Sequence, residues 1–192
     1  MNKLDQAFSL FDNYNRKSPE QLLINGVTIS AEYFYALKLH EWVIKLDPNA
    51  SEPLQLASRC QHIGRWEIKR ASYPDGRIGY LTWRSDLSKF HADTASSILR
   101  SIGYDEQIIE NMREIVLKKH LKTEPDVQTI EDALCLVFLE FQFDDLIVKH
   151  PAEKIIGILQ KTWKKMSVRG KEWALKLTYS AVGAELISKA LS

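Results

Sequence analysis

Only two cysteines, Cys60 and Cys135, occur among the 192 residues, and both sit in apolar, helix-like surroundings. That excludes a disulfide-built scaffold, and neither a CxxC pair nor a Cys/His zinc spacing is present. Buried free thiols fit a reducing, cytoplasmic location. No run is long and apolar enough to span a bilayer. The N-terminus, MNKLDQAFSLFDNYNRK, is broken by charge and does not read as a secretion signal. There is no excess of charge either. Twenty-six Lys and Arg against 25 Asp and Glu give a net charge of +1, which makes no general case for a nucleic-acid or membrane partner, so any basic patch must be local. Phosphate-cradling glycine loops are missing, since GKEW and GRIG lack the pattern. No Ser-His-Asp or Cys-His arrangement is legible.

What is present is apolar periodicity. Apolar residues make up 45% of the chain, and they recur at helical spacing. Leu4, Ala7, Phe8 and Phe11 predict an opening helix that fades near Asn13–Asn15, and Pro19 can start a short second helical turn. NGVT at 25–28 reads as a turn. Ser30 can cap a helix from about Ala31 to Leu46, with Tyr33, Leu37, His40, Val43 and Ile44 on one face. Ser51-Glu-Pro starts another helix, through Leu54, Leu56, Ala57, Cys60 and Ile63. Pro74, Gly76 and Gly79 predict one long irregular loop over residues 67–82. Helices resume over 83–102 and 105–121. Thr129 is placed to cap the apolar segment IEDALCLVFLEFQF, because TIED has capping-box spacing. Further helices run from Pro151 to Met166 and onward from Ser167. With no alternating strands bounded by hairpin turns, no internal repeat and no linker, residues 1–192 read as a single all-α helical domain.

Five histidines punctuate these helices: His40, His62, His91, His120 and His150. Taken singly, each is more often a structural residue than a ligand. His120 suits a helix C-terminus, and His150, before Pro151, reads as surface. Glu131 and Asp132 lie on the most apolar helix, so they are either at its exposed first turn or have buried partners. Several such groups converging in a helical bundle would hold a divalent metal able to activate water toward a phosphate.

The order and spacing of LQLASRCQHIGR, His40 and Asp132 resemble the HD-domain superfamily of metal-dependent phosphohydrolases. That resemblance implies an HD-like bundle in which His40 is the early histidine and His62 belongs to the doublet. His91 and His120 would be the intermediate histidines and Asp132 the late aspartate, together holding Mn, Fe or Zn. The chain departs from the family at the doublet itself, where Gln61-His62 stands in place of His-Asp and the metal-bound carboxylate is lost. A second resemblance covers nearly the whole chain. QHIGRWEIKRASYPDGRIGYLTWR with KFHA, then EDALCLVFLEF, then KTWKKMSVRG, are similar to an uncharacterised family whose members are sometimes labelled glutamyl-tRNA synthetase-like. No strand–helix alternation of a nucleotide-binding domain surrounds QHIGRW or KKMSVRG, so synthetase activity is not implied.

Arg59, Arg65, Lys69, Arg70, Arg77 and Arg84 alternate with Trp66, Tyr73, Tyr80 and Trp83. Guanidinium groups bind phosphate bidentately and aromatic faces stack on bases. Two outcomes are open. Either the arginines pair with Glu67, Asp75 or Asp86 while the tryptophans fill the core, or the segment forms a phosphate-binding wall. On the second reading Gln61, Arg65, Trp66, Arg70, Tyr80, Trp83 and Arg84 contact substrate, and Glu131 is a general base or supports the metal. Lys161, Lys165 and Arg169 add a second basic cluster on one helix face. The leading expectation is a metal-dependent phosphohydrolase acting on a small phosphorylated or nucleotide-like molecule. The alternative is a non-catalytic module that binds an anionic ligand or an RNA end in an Arg/Trp pocket.

Overall fold

Asn2 starts the first helix by accepting a hydrogen bond from the Asp5 amide, and α1 (Lys3–Asn15) follows. The computed structural model describes residues 2–192. After α1 the chain departs from the expected helical turn at Pro19. It forms a hairpin instead, β1 (Gln21–Ile24) against β2 (Val27–Ser30), antiparallel, with Leu22 opposite Ile29. Asn25 and Gly26 carry φ of 51° and 79°, the mirror-image two-residue turn that Asn-Gly favours.

The eight following α-helices of the described residues all contribute to the core around α2 (Ala31–Leu46), whose bounds match the expectation. Its buried face is Phe34, Leu39, Trp42, Val43 and Leu46 rather than the row through Tyr33, Leu37 and His40. Tyr33 is held at the surface because Arg16 stacks on its ring at 4.1 Å and donates to its hydroxyl at 2.6 Å. α3 (Glu52–Cys60) begins as expected, with Ser51 Oγ accepting from the Leu54 amide. α2 packs against α3 and against α6 (Pro125–Phe141), while α3 packs against α5 (Glu106–Val116). α7 (Phe143–Lys149), α8 (Ala152–Lys165), α9 (Val168–Ala174) and α10 (Ala181–Leu191) complete the chain, α9 lying on α6 and α8 pairing with α10. The architecture is an all-α bundle whose only sheet, among the described residues, is the two-stranded hairpin.

Two further expectations need correction. The irregular segment ends at Asp75, not at 82: α4 runs from Gly76 to Ser101, preceded by short 3-10 turns at Arg65–Glu67 and Arg70–Ser72. The glycine at 79 does not break the helix but permits it. A Cβ there would lie 1.9 Å from the Pro74 carbonyl oxygen, so only glycine lets α4 fold down onto the turn that feeds it. Likewise α6 begins four residues before Thr129, which sits inside the helix and donates Oγ1 to the Pro125 carbonyl at 2.9 Å. Pro125 at the first turn starts α6, so Glu131 and Asp132 lie well inside the helix and are buried. No helix of the described residues is long and apolar enough to cross a membrane.

The glycines give a paired test of this packing. Gly79→Ala should lower unfolding free energy by about 1–3 kcal/mol through overpacking against Pro74. Gly157→Ala, in α8 where an added Cβ meets nothing within 4 Å, should raise it by about 0.5–1 kcal/mol. Urea denaturation of both variants checks the signs, and a neutral Gly79→Ala would show that α4 does not need the close approach.

A cationic cleft as the candidate functional site

The end of α3 is fastened at three points. Gln61 Nε2 donates to the Val116 carbonyl at 3.1 Å, at the end of α5. His91 Nδ1, from α4, lies 2.6 Å from the Ile63 carbonyl oxygen. Gly64 turns the chain with φ of +67°, and a Cβ there would come within 2.7 Å of the Phe90 ring, so the turn requires glycine both for backbone angle and for space. This geometry aims His62 and Arg65 into a two-lobed cleft. One lobe, about 290 Å³, is lined by Gln61, His62, Arg65, Arg84, His91 and Lys118. The other, about 320 Å³, adjoins it across His62 and Arg65, which line both, and carries Glu20, Glu32, Tyr35 and Asp145.

The first lobe is positively charged with little to offset it. None of the ion pairs among the described residues involves Arg65, Arg84 or Lys89. The acids near them in sequence are engaged elsewhere: Glu67 accepts from Tyr14 Oη at 2.6 Å, and Asp86 from Tyr73 Oη at 3.1 Å. Asp75 stands at the N-terminus of α4. Burial, and then the facing Arg84, push the Arg65 pKa down. Burial together with Arg65, His91, Lys118 and Arg84 holds His62 well below the ordinary histidine value, so its ring is neutral at pH 7. Burial also takes His91 down to about 4, against the opposing effect of its bond to Ile63. Because a carbonyl can only accept, His91 Nδ1 carries the proton and Nε2 presents a lone pair. That Nε2 and Gln61 Oε1 are both buried acceptors with no partner.

The structure therefore brings together Gln61, His62, Arg65, Arg84 and His91 of the expected site. It does not bring in the rest. His40 Nδ1 lies 2.9 Å from Ser58 Oγ, and its ring meets Phe8 edge-on. His120 is exposed, in a left-handed turn. Asp132 accepts from Gln128 Nε2, the Ser167 amide and Ser167 Oγ, tying α6 to the start of α9. Glu131 is ion-paired to Lys118 at 2.5 Å and Lys165 at 3.4 Å, so it steadies the lysine that lines the cleft rather than lining it. Arg70 spends its guanidinium on the Tyr73 and Pro74 carbonyls. Trp66 packs near Tyr14. Trp83 donates to the Ile68 carbonyl and supports Arg65 at 5.6 Å, with Tyr80 tilted against it.

The expected metal centre does not assemble. Among the described residues no group of three or more His, Cys, Asp or Glu side chains is placed to hold a metal ion. The physical reason is visible at Asp132, whose oxygens already accept three hydrogen bonds, and at Gln61-His62, a pair that offers no carboxylate. The second basic cluster also disperses. Lys161 and Lys165 are on α8, whereas Arg169, on α9, donates to the Leu46 carbonyl and Thr129 Oγ1. Two parts of the cleft escaped the sequence reading. Lys118 follows α5 in a KKHLKTE turn with positive φ at 118, 120 and 122. The acidic lobe is drawn from three separate elements. The basic run was a signal for the first; nothing in local sequence marks the second.

A family model described as "Domain of unknown function (DUF4202)" matches residues 5–187, and the chain belongs to that family. No curated protein and no solved structure matches it.

The Glu131 pair carries a pH signature. Burial pushes this carboxyl up, but Lys118 and Lys165 outweigh it and hold the pKa below the ordinary value. Such a group stabilises the fold fully above the unfolded carboxyl value of about 4.3, and the contribution is lost as pH falls through the lower folded value. Glu131→Gln should therefore cost about 3 kcal/mol at pH 7. The gap to wild type should narrow in urea titrations as pH falls below the unfolded value of about 4.3. A gap that is unchanged at low pH would mean that lost packing, not the ion pair, is responsible.

Proposed function

We propose that the protein binds a small phosphorylated, anionic molecule in the lobe lined by Arg65, Arg84 and Lys118. One observation carries this reading: two arginines face the same space without a carboxylate partner, while the nearby acids are bonded to tyrosines. Guanidinium groups held this way prefer an anion that accepts bidentately, and phosphate is such an anion. Ser85 lines the same lobe and adds a hydroxyl donor, whereas the Ser88 hydroxyl donates to the Val116 carbonyl. A bounded pocket of this volume suits a small molecule better than the extended track a nucleic acid needs. The hydrolase implied by the HD resemblance requires converging metal donors, and the donor set here does not supply them. Binding without metal-assisted turnover is the function that these residues support.

Isothermal titration with pyrophosphate, in the presence of a chelator, tests it. Wild type should bind. Arg84→Ala, an exposed position on α4, should weaken binding by about tenfold or more, the worth of one charge-assisted bidentate contact. Arg70→Ala should leave affinity unchanged, because that guanidinium serves the loop carbonyls. Equal losses in the two variants would reduce the effect to net charge, and no binding by wild type would remove the proposal.

A further inference from the structure

The second lobe reverses the charge of the first. Glu20, Glu32 and Asp145 line it; Glu32 accepts from Ser18 Oγ, and none of the three takes part in an ion pair among the described residues. Lys149 is the one cation there besides the shared Arg65. The rings of Tyr35 and Phe138 line the same space. These carboxylates do not converge with other donors closely enough to hold a metal ion. Acids set apart around aromatic faces instead suit a larger, softer cation, an organic ammonium, which is attracted both by the carboxylates and by the rings. A third space, of about 10 Å³, lies at the junction of the lobes, with room for no more than about one water. It is lined by Gln61 and His62 on one side and by Glu32 and Tyr35 on the other. Gln61 is 5% exposed and its Oε1 has no partner, so a hydrogen-bond donor is missing at this junction.

We infer that the ligand is a phosphorylated amine: its phosphate lies against Arg65 and Arg84, its ammonium lies between Glu20, Glu32, Asp145 and the Tyr35 and Phe138 rings, and the chain between them passes over His62 and Arg65, which line both lobes. The inference rests on the anion-site reading of the first lobe and adds the opposite pole. Burial and the carboxylates of Glu20, Asp145 and Glu32 raise the Tyr35 pKa, against a hydrogen bond with Gln142, which agrees with a negative potential in that lobe.

Calorimetric titration with O-phosphoethanolamine and with glycerol phosphate, an ester of similar size without the amine, separates the two claims. Wild type should bind phosphoethanolamine at least about tenfold tighter than glycerol phosphate. The double variant Glu20→Gln/Asp145→Asn, at two exposed positions, should bring the two affinities together by weakening phosphoethanolamine alone. Equal binding of both esters by wild type overturns the phosphorylated-amine inference and leaves the anion site standing. Failure to bind either ester overturns both. Where phosphoethanolamine binds, displacement by vesicles containing phosphatidylethanolamine assigns the amine to a lipid headgroup, and no displacement assigns it to the free ester.

Discussion

The contact of Arg59 with Asp12 sets the frame on which the cleft is built. Both groups are buried and doubly bonded to each other across α3 and α1. Asn15 adds a bond to the Arg59 carbonyl at 3.1 Å, and the guanidinium lies over Phe8 at 4.9 Å. A buried pair of this kind gives little net stability over an apolar replacement, but breaking it strands a charge. Its value is positional, since α3 can meet α1 in only one register. Once that register is set, the last turn of α3 points Gln61 at the Val116 carbonyl and Ile63 at His91, and the walls of the cleft follow.

Arg65 comes six residues after Arg59 and receives opposite treatment. Arg59 has its counter-ion in the interior; Arg65 and Arg84 face one another with none. Like charges in a partly desolvated space repel, and a chain with 25 acidic residues had carboxylates within reach to relieve them. Instead Tyr14 and Tyr73 occupy Glu67 and Asp86, and the acids Glu20, Glu32 and Asp145 gather in the neighbouring lobe, beyond the wall of His62 and Arg65. The result is a separation of charge across one pair of side chains. A solvent-filled cleft gains nothing from such a separation, whereas a ligand that carries both signs relieves both lobes at once.

Helices were legible where a single rule governs them. Ser51 and the apolar spacing after it placed α3, and the end of α1 at Asn15 followed from its loss of apolar period; Ser30 marked the start of α2 without capping it, since its hydroxyl donates to the Asn15 carbonyl. Errors arose where two rules compete. Gly76 and Gly79 carry a low helix propensity, yet tertiary contact with Pro74 selects glycine inside α4. TIED satisfies the capping-box pattern, yet Pro125 starts the helix first. Asn25-Gly26 signalled a hairpin that the weak alternation of QLLI concealed, because both strands lie on the surface with half of each exposed. In the site, the local cluster Gln61, His62, Arg65, Arg84 and His91 was readable because α3, its turn and α4 are consecutive. Asp132 and His40 were misplaced for the opposite reason. Their spacing matched a pattern, but what a side chain faces depends on Ser167 and Ser58, and only the packed structure supplies those.

On the proposed reading, selectivity in the cleft rests on its two unsatisfied acceptors as well as on its cations. Arginine and lysine attract any anion, so charge alone does not choose among them. His91 Nε2 is different, because the Ile63 carbonyl fixes the proton on Nδ1 and burial keeps the ring neutral. Gln61 Oε1 is different too, because its amide nitrogen is committed to Val116. Each leaves a buried lone pair that only a donor can satisfy, and an unmet acceptor in such a place costs about 1–3 kcal/mol. A molecule that offers negative charge but no proton answers the arginines and leaves these two groups unpaired. One that brings a hydroxyl, a protonated phosphate oxygen or an ammonium beside its charge answers both. On the proposed reading, discrimination in this cleft comes from donors placed next to charge, and the Gln61 amide is one of the two groups that impose it.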